Sequence, residues 1–236
     1  MPTCLSTGYN HFLGNGMTLS GLKGAYTEIE KLGKSLCTQG SNPPYPSWSL
    51  SWVSLEGPAP GGGQNNIFQV GFARCPQMSV CPYYGGALYY FSYYERATGA
   101  CGLDFSEWHV EDALVLNPGA PGYHFFQVSK VGTTYNEYID ETFIRSWSVH
   151  DVETCWGGVQ HAEWQNETLN DNDQAGGHMT NPQGFHKNQY QTSTGWHNAN
   201  RTLGKACDAN NLPAHWNCNT SMTSANYFDA YDDRVP

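Results

Sequence analysis

Two short stretches of this chain carry side chains able to do chemistry on a carbonyl group: Ile67-Phe68-Gln69-Val70-Gly71 and Ala162-Glu163-Trp164-Gln165-Asn166-Glu167. In an extended strand successive side chains point to opposite faces, so Phe68, Val70 and Phe72 form an apolar row and Gln69 stands on the other face beside Gly71. In the second stretch Ala162 and Trp164 share one face, and His161, Glu163, Gln165 and Glu167 share the other. If the two strands lie in one sheet, a carboxamide and a pair of carboxylates look into the same space. A carboxylate within reach of a water can take its proton as the water attacks a peptide carbonyl, then return that proton to the leaving amine. The carboxamide offers N–H donors to the tetrahedral oxyanion without needing to ionise. No nucleophilic serine or cysteine, metal or cofactor is required. The base works only ionised and the returning acid only protonated, so activity is expected in acid unless burial raises the carboxyl pKa.

The elements that must position these residues read as strands. Gly24–Glu30 alternates, with Ala25, Thr27 and Ile29 on one face and Tyr26, Glu28 and Glu30 on the other. Trp48 to Glu56 places Trp48, Leu50, Trp52 and Glu56 on one face. Ala87 to Arg96 is the most aromatic run. Residues 123–131 and 135–144 read as a strand pair across Gly132-Thr133-Thr134, and Asn117-Pro118-Gly119-Ala120-Pro121-Gly122 is a turn. Short alternating strands at this spacing, with no convincing long amphipathic helix, predict an all-β, two-sheet antiparallel β-sandwich. Residues 1–20 show no clear period.

The same residues carry a family resemblance. IFQVG resembles the L-Q-T-G strand of the eqolisin glutamic peptidases, AEWQNE resembles their A-E-aromatic-x-x-E strand, and Trp52-Val53-Ser54-Leu55-Glu56-Gly57 resembles their W-V-x-I-D-G strand. The likeness runs over roughly residues 20 to 175. It implies Gln69 and Glu167 as the catalytic pair, and a concanavalin-like or jelly-roll sandwich with a concave face. Trp52, Glu56, Tyr90, Ser92 and Glu163 become candidates for the substrate-binding site, with polypeptide as the substrate. The family's A-W-Y-E-W-Y strand aligns with the aromatic run, where Ser92 replaces a carboxylate. A non-catalytic sandwich that binds glycans or builds a particle surface is the alternative, because Trp and Tyr rings stack on sugars.

Composition narrows the setting. With Lys+Arg 11 against Asp+Glu 21, the net charge of -10 argues against nucleic acid and anionic membranes as partners. No apolar run is long enough for membrane insertion, and the N-terminus has no recognisable signal peptide. Eight cysteines suggest an oxidising destination, extracellular or on a particle surface, with Cys75/Cys81 and Cys207/Cys218 close enough to close short loops. No metal is expected, since C-x-x-C and H-E-x-x-H are both missing. Asp171-Asn172-Asp173-Gln174-Ala175-Gly176 begins like a calcium loop, but no Glu stands at its twelfth position. Residues 1–168 read as the sandwich with its lead-in. Residues 169–236 read as an Asn- and Gly-rich, disulfide-stapled coil packed on it, a loop-rich C-terminal extension and not an independent domain. Sequons stand at Asn166, Asn200 and Asn219; a glycan at Asn166 would block the proposed site.

Overall fold

The computed structural model describes residues 6–37, 48–57, 66–74, 88–96, 105–110, 122–148, 150–155, 157–170, 172–199, 215–218 and 226–234. Strands are numbered in chain order. One sheet runs β1 (Ser6–Thr18), β10 (His161–Asn170), β3 (Ser49–Gly57), β4 (Asn66–Arg74), β5 (Leu88–Arg96) and β6 (Phe105–Val110), all antiparallel. The other runs β11 (Gly177–His178), β15 (Phe228–Asp232), β12 (Gln183–Thr192), β2 (Gly24–Glu30), β7 (Tyr123–Val131), β8 (Thr134–Ile139) and β9 (Thr142–Ser148). To this sheet β13 (Gly195–Asn198) adds alongside β12, and β14 (Trp216–Cys218) alongside β15. Only β11 with β15 pairs in parallel among the described strands. The one helical element described is a π-helical turn at His150–Cys155.

The sheets pack face to face, and aromatic side chains from alternate positions make the seam. Phe72 meets Phe126 edge-on at 4.8 Å, Phe68 stacks on Tyr135 at 5.8 Å and Tyr94 stacks on Trp147 at 4.1 Å. Ala25, Thr27 and Ile29 point into this core, as the alternation of β2 predicts. Each large apolar side chain so buried stabilises the fold by roughly 1.5–3 kcal/mol relative to leaving it exposed.

Three features differ from the sequence reading. The stretch 135–144 is not one strand. It turns back at Asp140 and Glu141, whose φ values of 48° and 65° are both positive, the conformation that a two-residue hairpin needs. Asp140 stabilises the turn by accepting the Phe125 backbone N–H at 2.9 Å. Residues 6–18, read as aperiodic, form the edge strand β1 along β10. Gly14 explains the weak signal, because a Cβ there would lie 2.1 Å from the Trp164 carbonyl oxygen, so the close approach of the strands excludes a larger residue.

The third difference concerns residues 169–236, read as coil laid on a finished sandwich. β12 sits between β15 and β2, inside the second sheet, so the expected boundary at residue 168 does not divide the fold. Phe185 and Phe228 stack at 4.5 Å in the core. Alternation is faint here because several inward side chains are polar and paired. Thr27 Oγ1 donates to the buried Asn188 Oδ1 at 2.6 Å, and Gln183 Nε2 donates to the Glu30 carbonyl at 2.7 Å. Asp173, in the stretch that begins like a calcium loop, accepts the backbone N–H of Cys37 at 2.8 Å and of Trp48 at 3.2 Å. No cysteine among the described residues is free. Cys75, Cys81 and Cys207 lie outside the described residues, so the pairings suggested by spacing do too.

Candidate active site

β10, β3 and β4 run side by side in unbroken register, and β5 continues the sheet. Directly paired residues share a face, which sorts the side chains into rows. One row is His161, Glu56, Ile67 and Glu95; the next is Glu163, Ser54, Gln69 and Tyr93. Then come Gln165, Trp52, Gly71 and Phe91, and finally Glu167, Leu50, Ala73 and Tyr89. The intervening positions, Leu55, Phe68, Val53, Val70 and Phe72, belong to the sandwich core. All four rows therefore stand on the face turned away from that core. Gln69, Glu163, Glu167, Trp52 and Glu56 are brought to one face, as the alternation predicts.

Within that face Gln69 is level with Glu163, across the small Ser54. Glu167 lies two strands from Gln69, about 10 Å, and four residues further along, about 13 Å of strand rise. Trp52 stands on the diagonal between them. Its indole N–H donates to Glu167 Oε2 at 3.0 Å, which fixes the carboxylate over the middle of the sheet. Phe12 meets the Trp52 ring edge-on at 6.4 Å and holds the indole from the β1 side. Among the described residues nothing hydrogen-bonds the Gln69 carboxamide, so its N–H groups remain available.

The other acids are held individually. The Ser54 hydroxyl donates to Glu56 Oε1 at 2.8 Å, and burial pushes the Glu56 carboxyl up to about 7 against the lowering effect of that bond. Glu56 is thus held protonated in mildly acidic water, one position diagonal to Gln69. The Gln165 amide donates to Glu163, Tyr93 donates to Glu95 at 2.8 Å, and Thr18 Oγ1 and His161 Nδ1 lie 2.9 Å apart. Burial lowers the His161 pKa.

Most of this face is shielded from solvent. Leu50, Trp52, Ala73, Tyr89 and Phe91 form a second apolar cluster on it, with Trp48 and Tyr93 packed alongside. Glu163, His161, Tyr93 and Glu95 are only partly buried, so solvent reaches the site from the end that carries Glu163 and Glu95.

Two candidates from the sequence are placed elsewhere. Tyr90 and Ser92 occupy the alternate positions of β5 and face the sandwich interior, so neither lines this site. Tyr90 packs on Phe72 and Phe126, and its hydroxyl contacts His124 Nδ1 at 2.7 Å and Asp140 Oδ2 at 3.1 Å. Ser92 donates to the fully buried Glu137 of the opposite sheet. A carboxylate does reach position 92, but from β8. Sequence reasoning missed Ser54 and Gln165 as acid-holding residues, although the period-two pattern already placed them on the same face.

No protein-family model matches the chain, and no curated relative does. Solved structures do. SCP-B, an eqolisin peptidase in complex with the tripeptide Ala-Ile-His, superposes with a TM-score of 0.54 at 12% identity, over 94% of this chain and 98% of that one. Scytalido-glutamic peptidase with a transition state analog inhibitor superposes with a TM-score of 0.51, also at 12% identity, over 94% and 98%. The fold is that of the eqolisin peptidases. The eqolisin likeness spans nearly the whole chain and so includes the C-terminal strands as well as the motif-bearing ones.

Proposed function

We propose that this protein hydrolyses peptide bonds in acid, with Glu163, the carboxylate level with Gln69 across Ser54, as general base and then general acid, and Gln69 as the oxyanion donor. Glu167, which the family resemblance makes the base, stands about 16 Å from Gln69 with Trp52 between them. The observation that carries this reading is the register, which puts Glu163 and Gln69 in one row with only the small Ser54 between them. Trp52 holds Glu167 Oε2 at 3.0 Å from its indole nitrogen on the same face, four residues along the strand from Glu163. A carboxylate held by a neutral donor stays a usable base, and an amide with open N–H groups can answer the charge that develops on the carbonyl oxygen. Glu56, protonated up to about pH 7, adds an acid on the same face. Extended substrate enters from the end where Glu163 and Tyr93 are partly open, and the protein acts outside the cell, where its cysteines oxidise.

The arrangement gives less support to a glycan-binding face, since stacking on sugars needs open rings and Trp52, Tyr89 and Phe91 are at most 1% exposed. A glycosidase pair of Glu163 and Glu167 fits poorly too. Four residues on one strand span about 13 Å, beyond the separations such pairs use.

The test is digestion of a denatured protein substrate from about pH 2 to about pH 7 by the native chain and by Glu167→Gln, Gln69→Ala and Glu163→Gln. Loss in Glu163→Gln and Gln69→Ala with activity retained in Glu167→Gln supports the assignment. Loss in Glu167→Gln with retention in Glu163→Gln moves the base to the carboxylate held by Trp52. Absence of cleavage by the folded native chain rejects the peptidase reading.

A further inference from the structure

Lys34 takes no part in that site. Its side chain lies in the sandwich interior, on the opposite side of the same sheet, and is 1% exposed. The amine reaches the Leu50 carbonyl at 3.1 Å, Asn166 Oδ1 at 2.5 Å and the Ser51 hydroxyl. None of these partners is a carboxylate. Asn166 is fully buried, and its Oδ1 also accepts the Ser51 hydroxyl at 2.6 Å. Its amide nitrogen is buried with no hydrogen-bond partner among the described residues.

These contacts set out the parts of an acyl transfer. An amine taken out of water without an anionic partner is held in its neutral form, and burial does lower the Lys34 pKa well below its ordinary value. A neutral amine has a nucleophilic lone pair. The carboxamide beside it is polarised by the Ser51 hydroxyl at its oxygen, while its nitrogen is held by nothing described. Water is excluded from the pocket, so hydrolysis does not compete.

We propose that Lys34 and Asn166 are joined by an intramolecular isopeptide bond. Lys34 Nζ attacks Asn166 Cγ, and the Nζ–Cγ bond forms as the Cγ–Nδ2 bond breaks. One Nζ proton passes directly to Nδ2, which shares the tetrahedral carbon with it, while the Ser51 hydroxyl accepts from Nζ and donates to Asn166 Oδ1, and ammonia leaves. No oxidant, metal or cofactor enters the balance. The product ties the segment before β3 to β10, across 132 residues of sequence. Such a link closes a long loop in the unfolded chain and cannot be undone by reductant.

The experiment is the intact mass of the full chain, reduced and alkylated in denaturant, followed by tryptic digestion. The expected mass is one ammonia lower than the sequence requires. The digest should contain a branched peptide joining the Lys34 and Asn166 segments, with no cleavage after Lys34. Lys34→Arg and Asn166→Ala should regain the full mass, and Ser51→Ala should leave a mixture. A native chain at full sequence mass overturns the proposal. So does an ammonia deficit that maps to one unbranched peptide, which is the signature of a cyclised asparagine. The native chain decides the matter even if a variant fails to fold.

Discussion

The indole nitrogen of Trp52 and the carboxylate of Glu167 are 3.0 Å apart, and this bond ties β3 to β10 on the face that carries Gln69. Trp52→Phe keeps most of the buried ring and deletes the donor. A hydrogen bond to a charged group contributes about 1.5–3 kcal/mol, so a fall of that size in unfolding free energy is expected from denaturant titration. Under the proposed function the base is Glu163, so the variant should keep most of its kcat in acid wherever it remains folded.

Glu56 should make stability depend on pH. Burial raises its folded-state pKa from 4.5 to about 7, so the folded chain prefers the protonated form more strongly than the unfolded chain does. That contribution is fully present below 4.5 and is lost as pH rises through about 7. Glu56→Gln should remove this slope and be the more stable protein above neutrality, by up to about 3 kcal/mol. Unfolding titrations at several pH values check the sign. A native chain more stable at pH 8 than at pH 5 through this group contradicts the assignment.

Gly71 marks a place where two strands meet without room for a side chain. A Cβ there would lie 2.0 Å from the Ser51 carbonyl oxygen and 2.7 Å from Trp52 Cα, both backbone atoms. Gly71→Ala must therefore push β4 away from β3 in the row that holds Trp52. Overpacking of this kind costs about 1–3 kcal/mol, and any catalytic activity should fall with it. Thermal unfolding with a parallel activity assay separates the two losses.

Asp140 serves the β8–β9 turn and the Tyr90–His124 contact together. Burial raises its carboxyl pKa, but the His124 hydrogen bond and charge, the Phe125 N–H and the Tyr90 hydroxyl outweigh this and hold it below the ordinary value of 3.8. The resulting stability is present above 3.8 and is lost as pH falls through the lower folded-state pKa. Asp140→Asn keeps an acceptor for Phe125 and tolerates the left-handed backbone. Asp140→Ala does neither, and should cost about 1 kcal/mol more than the Asn variant at neutral pH. Paired denaturation curves test the difference.

Asn166 should carry no glycan in the folded protein. Its side chain is fully buried and contacts Lys34 and Ser51, so a transferase cannot reach it after folding. Expression in a eukaryotic secretory host followed by peptide mapping checks this. A glycan at Asn166 on folded material would contradict the packing described here.

Where the sequence was easiest to read, one physical signal dominated. β3, β4, β5 and β10 alternate cleanly, and alternation alone put Trp52 with Glu56, Glu163 with Glu167, and Gln69 opposite its apolar neighbours, each within its own strand. The same rule, applied residue by residue, assigns Tyr90 and Ser92 to the other face. Grouping them with their aromatic neighbours obscured that. Register was not legible, because it depends on which residues pair across strands, and so the diagonal from Glu167 through Trp52 to Gln69 emerged only in the structure. β12 was hidden by its buried polar side chains, and the 140–141 turn by the use of Asp-Glu where Asn-Gly is usual. The Lys34 pocket had no sequence signature, since its members come from three separate segments.

The first strands of the chain find their partners among the last: β1 lies against β10, and β2 is completed on one side by β12. During synthesis these early segments leave the ribosome long before their neighbours exist, with unpaired edges and apolar rows exposed. Assembly must wait for nearly the entire polypeptide, so a product truncated before β12 is expected to be a client for chaperones or proteases and not a smaller working protein.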